Sequence, residues 1–215
     1  MIRFSKPDIT EQDTIDIKKI LKSGWLAHGK YTKKLEDLFS KFTGSKYAIA
    51  VSSCTAGLHI SCLTAGFKKG DEVLVSSQTH TATGHAIEYT GAKPIFVDCN
   101  ALNGNININD LKRKITKKTK GIIVVHMNGL PCEMDEINKI VKKEKIKLIE
   151  DCAHALGSNF KNKHCGTFGI SGCFSFYPTK QITSGEGGMI ITNDKSFYLK
   201  AKKMRAFGID LDKCF

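Results

Sequence analysis

Lys180 stands in FSFYPTKQITSGEGG, between an apolar segment and a glycine-rich turn. An amine set among aromatic and glycine residues is a candidate for imine formation with a carbonyl, although a lysine taken alone is most often a solvated surface group. Asp151 ends the apolar run in KLIEDCAHA. A carboxylate there can pair with a protonated ring nitrogen, or it can cap the helix that follows. SSCTAG separates an apolar run from a segment of helical character. Hydroxyls and backbone N–H groups at a helix N-terminus suit a phosphate, and they are equally the ordinary way a helix begins. Neither GxGxxG nor GxxxxGK[ST] occurs, so this turn is not a dinucleotide fingerprint or a P-loop.

Separately each signal is weak; jointly they are specific. A phosphate cradle, an anion for a pyridine nitrogen and an amine for an aldehyde are the three anchors of pyridoxal 5'-phosphate. The anion keeps the ring nitrogen protonated, and the protonated ring is an electron sink.

Other chemistries find less support. The eight cysteines form no CxxC pair and sit mostly in apolar segments, as reduced core cysteines do. The seven histidines form no HExxH or HxH, and no metal site is expected. The formal charge is +12, yet only Arg3, Arg113 and Arg205 are arginines. The lysines gather in stretches such as Lys112 to Lys120 and Lys139 to Lys147, which read as solvated helix faces. Nucleic-acid binding is therefore not expected. No window approaches 18 uncharged apolar residues, and MIRFSKPDITEQDT has no apolar signal region. The expectation is a cytoplasmic protein with no membrane partner.

The elements that position these residues follow from periodicity. Residues 10–22 read as a helix with Thr10 as N-cap, Ile15, Ile17, Ile20 and Leu21 roughly on one side, and Gly24 as its end. SGWLAHG is a loop, and residues 31–42 form a second amphipathic helix through Leu35, Leu38, Phe39 and Phe42. From residue 46 strands and helices alternate. Strands are expected at 47–51, 71–76, 93–98, 121–126, 147–151, 172–176 and 188–192. Helices are expected after SSCTAG, after His80, and at 109–118, 134–144 and 194–204. Crossovers of this length make the sheet mostly parallel, within one three-layer α/β domain of about seven strands. Ligands in such sheets gather beyond the carboxyl ends of the strands. Those positions hold Ser52 to Gly57, Thr79 and His80, His126 to Gly129, Asp151 to His154, and Ser175 to Lys180.

From about Ser23 to Gly208 the sequence resembles the DegT/DnrJ/EryC1/StrS family of sugar-nucleotide aminotransferases, within the fold-type I enzymes that use pyridoxal phosphate. The resemblance runs through SGWLAHGKYTKKLEDLF, YAIAVSSCTAGLH, GDEVLVSSQTHTATGHAIEYTGAKPIFVD, ITKKTKGIIVVHMNG, IEDCAHALGS and GTFGISGCFSFYPTKQITSGEGGMIIT. It implies that Lys180 is the Schiff-base lysine and Asp151 the partner of the pyridine nitrogen. It implies that Thr55 and Ala56, with Ser175, bind the phosphate. His80 takes the place of the aromatic ring usually stacked on the cofactor, and His154 stands near the cofactor's phenolic oxygen. Trp25 and Leu26 fall in the segment that approaches substrate in relatives. Residues 1–45 are then the N-terminal helices and that segment, and residues 46–215 the cofactor-binding large domain.

The sequence departs from the family at two points. Cys54 replaces a glycine of the usual SGTAA pattern, and a Cβ would strain that turn if the position needed positive φ. Family members also continue for well over a hundred residues into a smaller C-terminal domain, past the point that corresponds to Phe215. The chain is therefore expected to be a fragment of a longer protein or a divergent cofactor-binding relative without turnover. The activity implied is transfer of an amino group, from glutamate in most of the family, to a nucleotide-linked keto-sugar by a homodimer. Lys180 would move the proton as base and then as acid. The dehydratase branch of the family carries histidine in place of the lysine, and Lys180 argues against it.

Overall fold

Short β-branched runs build the sheet, and their alternation divides its two faces. In the computed structural model, which describes residues 5–209, seven strands form one sheet. They are β1 (Tyr47–Val51), β2 (Glu72–Ser76), β3 (Lys93–Val97), β4 (Thr119–Val125), β5 (Lys147–Asp151), β8 (Ser171–Ser175) and β9 (Gly188–Thr192). A separate hairpin, β6 (Asn159–Phe160) with β7 (Lys163–His164), was not expected from the sequence. The strand order is β1-β9-β8-β5-β4-β2-β3. All neighbouring strands pair in parallel except β9, which runs antiparallel to both β1 and β8. The expected fold class, a three-layer α/β domain around a mostly parallel seven-stranded sheet, is the one observed. Arg3, Cys214 and the end of the RAFGIDLDKCF segment lie outside the described residues.

The helices are α1 (Glu11–Lys22), α2 (Lys30–Thr43), α3 (Cys54–Ala65), α4 (Thr81–Glu88), α5 (Ile108–Lys114), α6 (Met134–Glu144) and α7 (Lys195–Arg205). Val73, Val75, Ile123, Ile149 and Ile190 pack under α3, α4 and α7, against Leu58, Cys62, Ile87 and Phe197. Leu74, Ile122, Val124 and Leu148, on the opposite face, pack against Leu111, Met134, Ile137 and Ile140 of α5 and α6. The period of two along each strand is what assigns neighbouring residues to opposite layers. At the other edge Phe39 of α2 packs on Phe174, Phe176 and Met189. Buried Glu36 ties this edge together: it accepts the Ala50 N–H and pairs with Arg205 at 2.5 Å.

Three expected elements differ in detail. Thr10 caps α1 in a full capping box with Asp13, yet no side chain of α1 is buried, and Ile15, Ile17 and Leu21 face outward. Likewise only Phe39, of the four apolar residues expected along α2, is buried. The helix expected over 109–118 stops at Lys114, because Ile115 is extended and the Thr116 N–H bonds Thr119 Oγ1, turning the chain early into β4. No described helix is long and apolar enough to cross a membrane.

Candidate active site

A cleft of about 660 Å³ opens beyond the carboxyl ends of the parallel strands. It is lined by Thr55, His80, Asp151, His154, Ser175 and Lys180, six of the seven residues expected there.

α3 supplies the first wall. Ser53 caps it, and its Oγ accepts the Ala56 N–H at 3.1 Å. The N–H groups of Cys54 and Thr55, in the first helical turn, have no carbonyl of their own helix to meet. These N–H groups, with the positive end of the helix dipole, make the cradle that suits an anion. Ala56 is not among the residues lining the cleft, and its N–H is engaged with Ser53. The run SSCTAG, expected as a turn, thus already contains the first turn of the helix. Cys54 is absent from the positive-φ residues, so its Cβ strains nothing. Gly188 makes this packing possible, since a Cβ there would lie 2.6 Å from the Cys54 nitrogen.

Asp151 supplies the carboxylate. It is 4% exposed. Its Oδ1 accepts the Ala153 N–H at 3.1 Å, and its Oδ2 accepts the Thr83 hydroxyl at 2.7 Å. The Cys54 thiol is a third, weak donor, 3.9 Å from Oδ1. A carboxylate offers about four lone-pair sites, so Asp151 still has room to accept more. The capping reading does not hold, because turns and not a helix follow β5: the Ala153 contact closes a turn, and Asp151 faces the cleft.

Lys180 reaches the same cleft from the loop after β8, where its backbone N–H bonds the Tyr177 carbonyl at 2.9 Å. Its ammonium makes no hydrogen bond or ion pair among the described residues. His154 is half-buried, and burial, followed by the positive charge of Lys180, lowers its pKa below the ordinary 6.5. His80 is the N-cap of α4, and its Nδ1 accepts the Ala82 N–H at 3.1 Å, which fixes the plane of the ring. Trp25 and Leu26 are exposed and do not line the cleft; the Trp25 indole N–H bonds the His28 carbonyl.

Gln78 and Glu186 also line the cleft and carry no sequence signal that singles them out, whereas Met127 and Tyr177 fall within the strand-end stretches expected there. Thr83 is fully buried and escaped notice for another reason. Its spacing of four from Thr79 reads as an ordinary polar step in THTATGHA, and only the fold brings it to Asp151.

The model of the DegT/DnrJ/EryC1/StrS aminotransferase family matches residues 7–214. The chain belongs to that family. An uncharacterized protein of Methanocaldococcus jannaschii, MJ1066, is 46% identical over 207 residues, covering 96% of this chain and 54% of that protein. GDP-perosamine synthase of Escherichia coli O157:H7 is 41% identical over 205 residues, covering 95% of this chain and 56% of the enzyme. A crystal structure of GDP-4-keto-6-deoxymannose-3-dehydratase with a trapped PLP-glutamate geminal diamine superposes with a TM-score of 0.94 at 34% identity. It covers 99% of this chain and 57% of that one. The chain spans about half the length of the curated relatives it matches.

Proposed function

We propose that the protein binds pyridoxal 5'-phosphate in this cleft and serves transfer of an amino group to a nucleotide-linked keto-sugar, with glutamate as donor. One observation carries the reading. An unpaired lysine amine, a carboxylate with spare acceptor capacity and a helix N-terminus with free N–H groups all face one cleft of about 660 Å³. Each matches a different part of the cofactor, and no two of them neutralise each other by a direct contact.

Pyridoxal phosphate, when bound, supplies an aldehyde for the amine and a ring that accepts an electron pair. The chain's residues do the rest. Cys54 and Thr55 N–H groups, the Thr55 hydroxyl and Ser175 bind the phosphate, with Ala56 behind them completing the turn. Asp151 holds a proton at the pyridine nitrogen. His80 covers one ring face, and His154 lies at the phenolic-oxygen side. Lys180 would take the substrate's α-proton as base and deliver it as acid to the carbon on the far side of the shared nitrogen. The first of these steps needs the neutral form of the amine.

The similarity to a perosamine synthase and to a dehydratase leaves two chemistries on one fold. Lys180 favours the aminotransferase, because the dehydratase branch resembles this chain but has histidine at that point. The exposed apolar residues of α1 and α2, among them Ile17, Leu21, Leu38 and Phe42, support association into a homodimer. On this reading residues 1–45 are the substrate-approaching segment, and the remainder is the cofactor domain.

Borohydride reduction of protein mixed with pyridoxal phosphate tests the assignment. The added mass is expected on the peptide containing Lys180, and attachment to another lysine defeats it. Conversion of the bound cofactor to its amine form by glutamate, followed by transfer to a GDP-linked 4-keto-sugar, tests the donor and acceptor.

A further inference from the structure

Asp151 does not aim itself. Its Oδ2 receives the Thr83 hydroxyl at 2.7 Å, and Thr83 Oγ1 lies 2.8 Å from Thr79 Oγ1. A threonine hydroxyl has one proton to give. The carboxylate, being charged, is the stronger acceptor and takes it. Thr83 must then accept from Thr79, which fixes the direction of the chain: Thr79 donates to Thr83, and Thr83 donates to Asp151. Thr79 lies at the cleft wall and Thr83 is fully buried, so this line of hydroxyls runs from the cleft into the protein and ends on the carboxylate.

A threonine inside a helix ordinarily returns its hydroxyl to the carbonyl four residues back. Thr83 instead reaches a residue 68 positions away in the sequence. That choice has a geometric consequence. The Ala153 N–H, with the weaker Cys54 thiol, holds Oδ1, and the Thr83 hydroxyl alone holds Oδ2, so Thr83 completes the restraint on rotation about χ2. One oxygen alone would leave that rotation free.

We propose that Thr83, backed by Thr79, is a positioning residue that aims Asp151 at the cofactor's ring nitrogen and thereby keeps that nitrogen protonated. The inference rests on the reading that the cleft binds pyridoxal phosphate. Thr83 touches neither cofactor nor substrate; it acts through Asp151. Its removal leaves the anion in place but unaimed, and the ring nitrogen then holds its proton less firmly. A ring that is less positive withdraws less from the nitrogen joining it to Lys180, so that nitrogen becomes more basic.

The test uses Thr83→Val, which keeps the shape and removes the hydroxyl, and Thr83→Ser, which keeps the hydroxyl. Two measurements are made besides activity: the dissociation constant for pyridoxal phosphate, and the pH midpoint of the bound cofactor's visible absorbance. Thr83→Val is expected to weaken binding by about tenfold and to raise the midpoint by about one pH unit, the scale of one lost charge-assisted hydrogen bond. Thr83→Ser is expected to restore both. A Val variant that binds and titrates as the parent does overturns the proposal. So does a Ser variant that behaves like Val, because packing and not the hydroxyl would then be responsible. If Thr83→Val does not fold, Thr79→Val decides: a midpoint raised in the same direction supports the relay, and an unchanged one overturns it. Borohydride labelling of the parent protein separates the two ideas. Failure to label Lys180 there defeats the cofactor reading itself, whereas normal labelling with an unmoved midpoint in the variants defeats only the role of Thr83.

Discussion

Glu150 and Asp151 are adjacent acids at the end of β5, both buried, yet they have opposite fates. The pleat of the strand sends them to opposite faces of the sheet. Glu150 Oε1 accepts the Phe168 and Gly169 N–H groups, each at 2.7 Å, and Oε2 accepts the Gly166 N–H at 2.7 Å. His126 Nε2 approaches Oε2 at 3.0 Å. The Cys132 N–H points into His126 Nδ1, so the ring proton sits on Nε2 and faces the glutamate. Four donors fill Glu150. His126, Glu150 and Cys152 lie close enough together to suggest a metal centre, but a carboxylate already bound by three backbone N–H groups has little left for a cation. Asp151, with two strong donors, one weak thiol and an open cleft in front of it, keeps capacity in reserve. Charge and burial are alike in the two residues; the unused valence separates scaffold from chemistry.

The largest expected effect is on the scaffold side. Glu150→Ala strands three backbone N–H groups and the His126 proton in a dry interior. We expect a loss of about 3–5 kcal/mol, the scale for breaking a buried charged network. Urea denaturation measures it. A loss below about 1 kcal/mol would mean that the 164–169 loop finds other partners, and the contrast between the two acids would collapse.

Asp151→Asn comes next. It keeps the volume and a carbonyl for one of the two donors, so the fold should survive with less than about 1 kcal/mol of change. Proton transfer should fall by roughly 10², the scale of losing a preorganised charge. Single-turnover rates with glutamate, read beside a melting curve, check both halves. Unchanged rates would remove Asp151 from the chemistry.

Much of this contrast was legible before the fold was known. Asp151 and Lys180 stood out by residue type beside an apolar strand and a glycine-rich turn, and the alternation of apolar runs placed both at one edge of a parallel sheet. The partners were not legible. Nothing in HTATGHA marks Thr83, because a hydrogen bond spanning 68 positions leaves no local trace. Nothing marks Glu150 either, because its donors are the backbone of a loop whose sequence, GTFG, carries no polar signal beyond one threonine. The apolar pattern of α1 gave a correct helix with a misleading face, since amphipathicity shows that a face needs covering but not by what.

Cys54 gives a smaller and more local test on the Asp151 side. Its thiol lies 3.9 Å from Asp151 Oδ1, and burial, then the aspartate's charge, pushes its pKa well up, so it stays a neutral, space-filling group. The sequence had suggested strain at a position where relatives have glycine. With α3 already helical at this residue, Cys54→Gly should relieve nothing and should cost about 1 kcal/mol through backbone entropy and a lost buried side chain. A rise in melting temperature would show that the strain was real and that the first turn of α3 is held against its preference.

The smallest effect expected is a pH dependence that has the same sign in cleft and scaffold and is changed in the cleft by the cofactor. His154 is held below its ordinary pKa of 6.5 by burial and by Lys180. His164, in the scaffold, is lowered chiefly by burial. In both, the unfolded chain takes up a proton near pH 6.5 while the folded chain still resists it. The unfolded state therefore binds more protons as the pH falls, and stability declines below about pH 6.5, levelling only beneath the folded-state values. His154→Gln should flatten that decline and move the melting temperature at pH 5.5 by less than about 2 °C, because the side chain is partly solvated. Binding of pyridoxal phosphate should sharpen the difference. An anionic phenolic oxygen beside His154 favours its protonated form, so the cofactor-loaded protein should lose less stability on acidification than the free protein. Melting curves from pH 5.5 to 7.5, with and without pyridoxal phosphate, measure this directly. If the cofactor protects His154→Gln against acid as fully as it protects the parent, His154 is not at the phenolic-oxygen side, and that part of the cleft assignment fails.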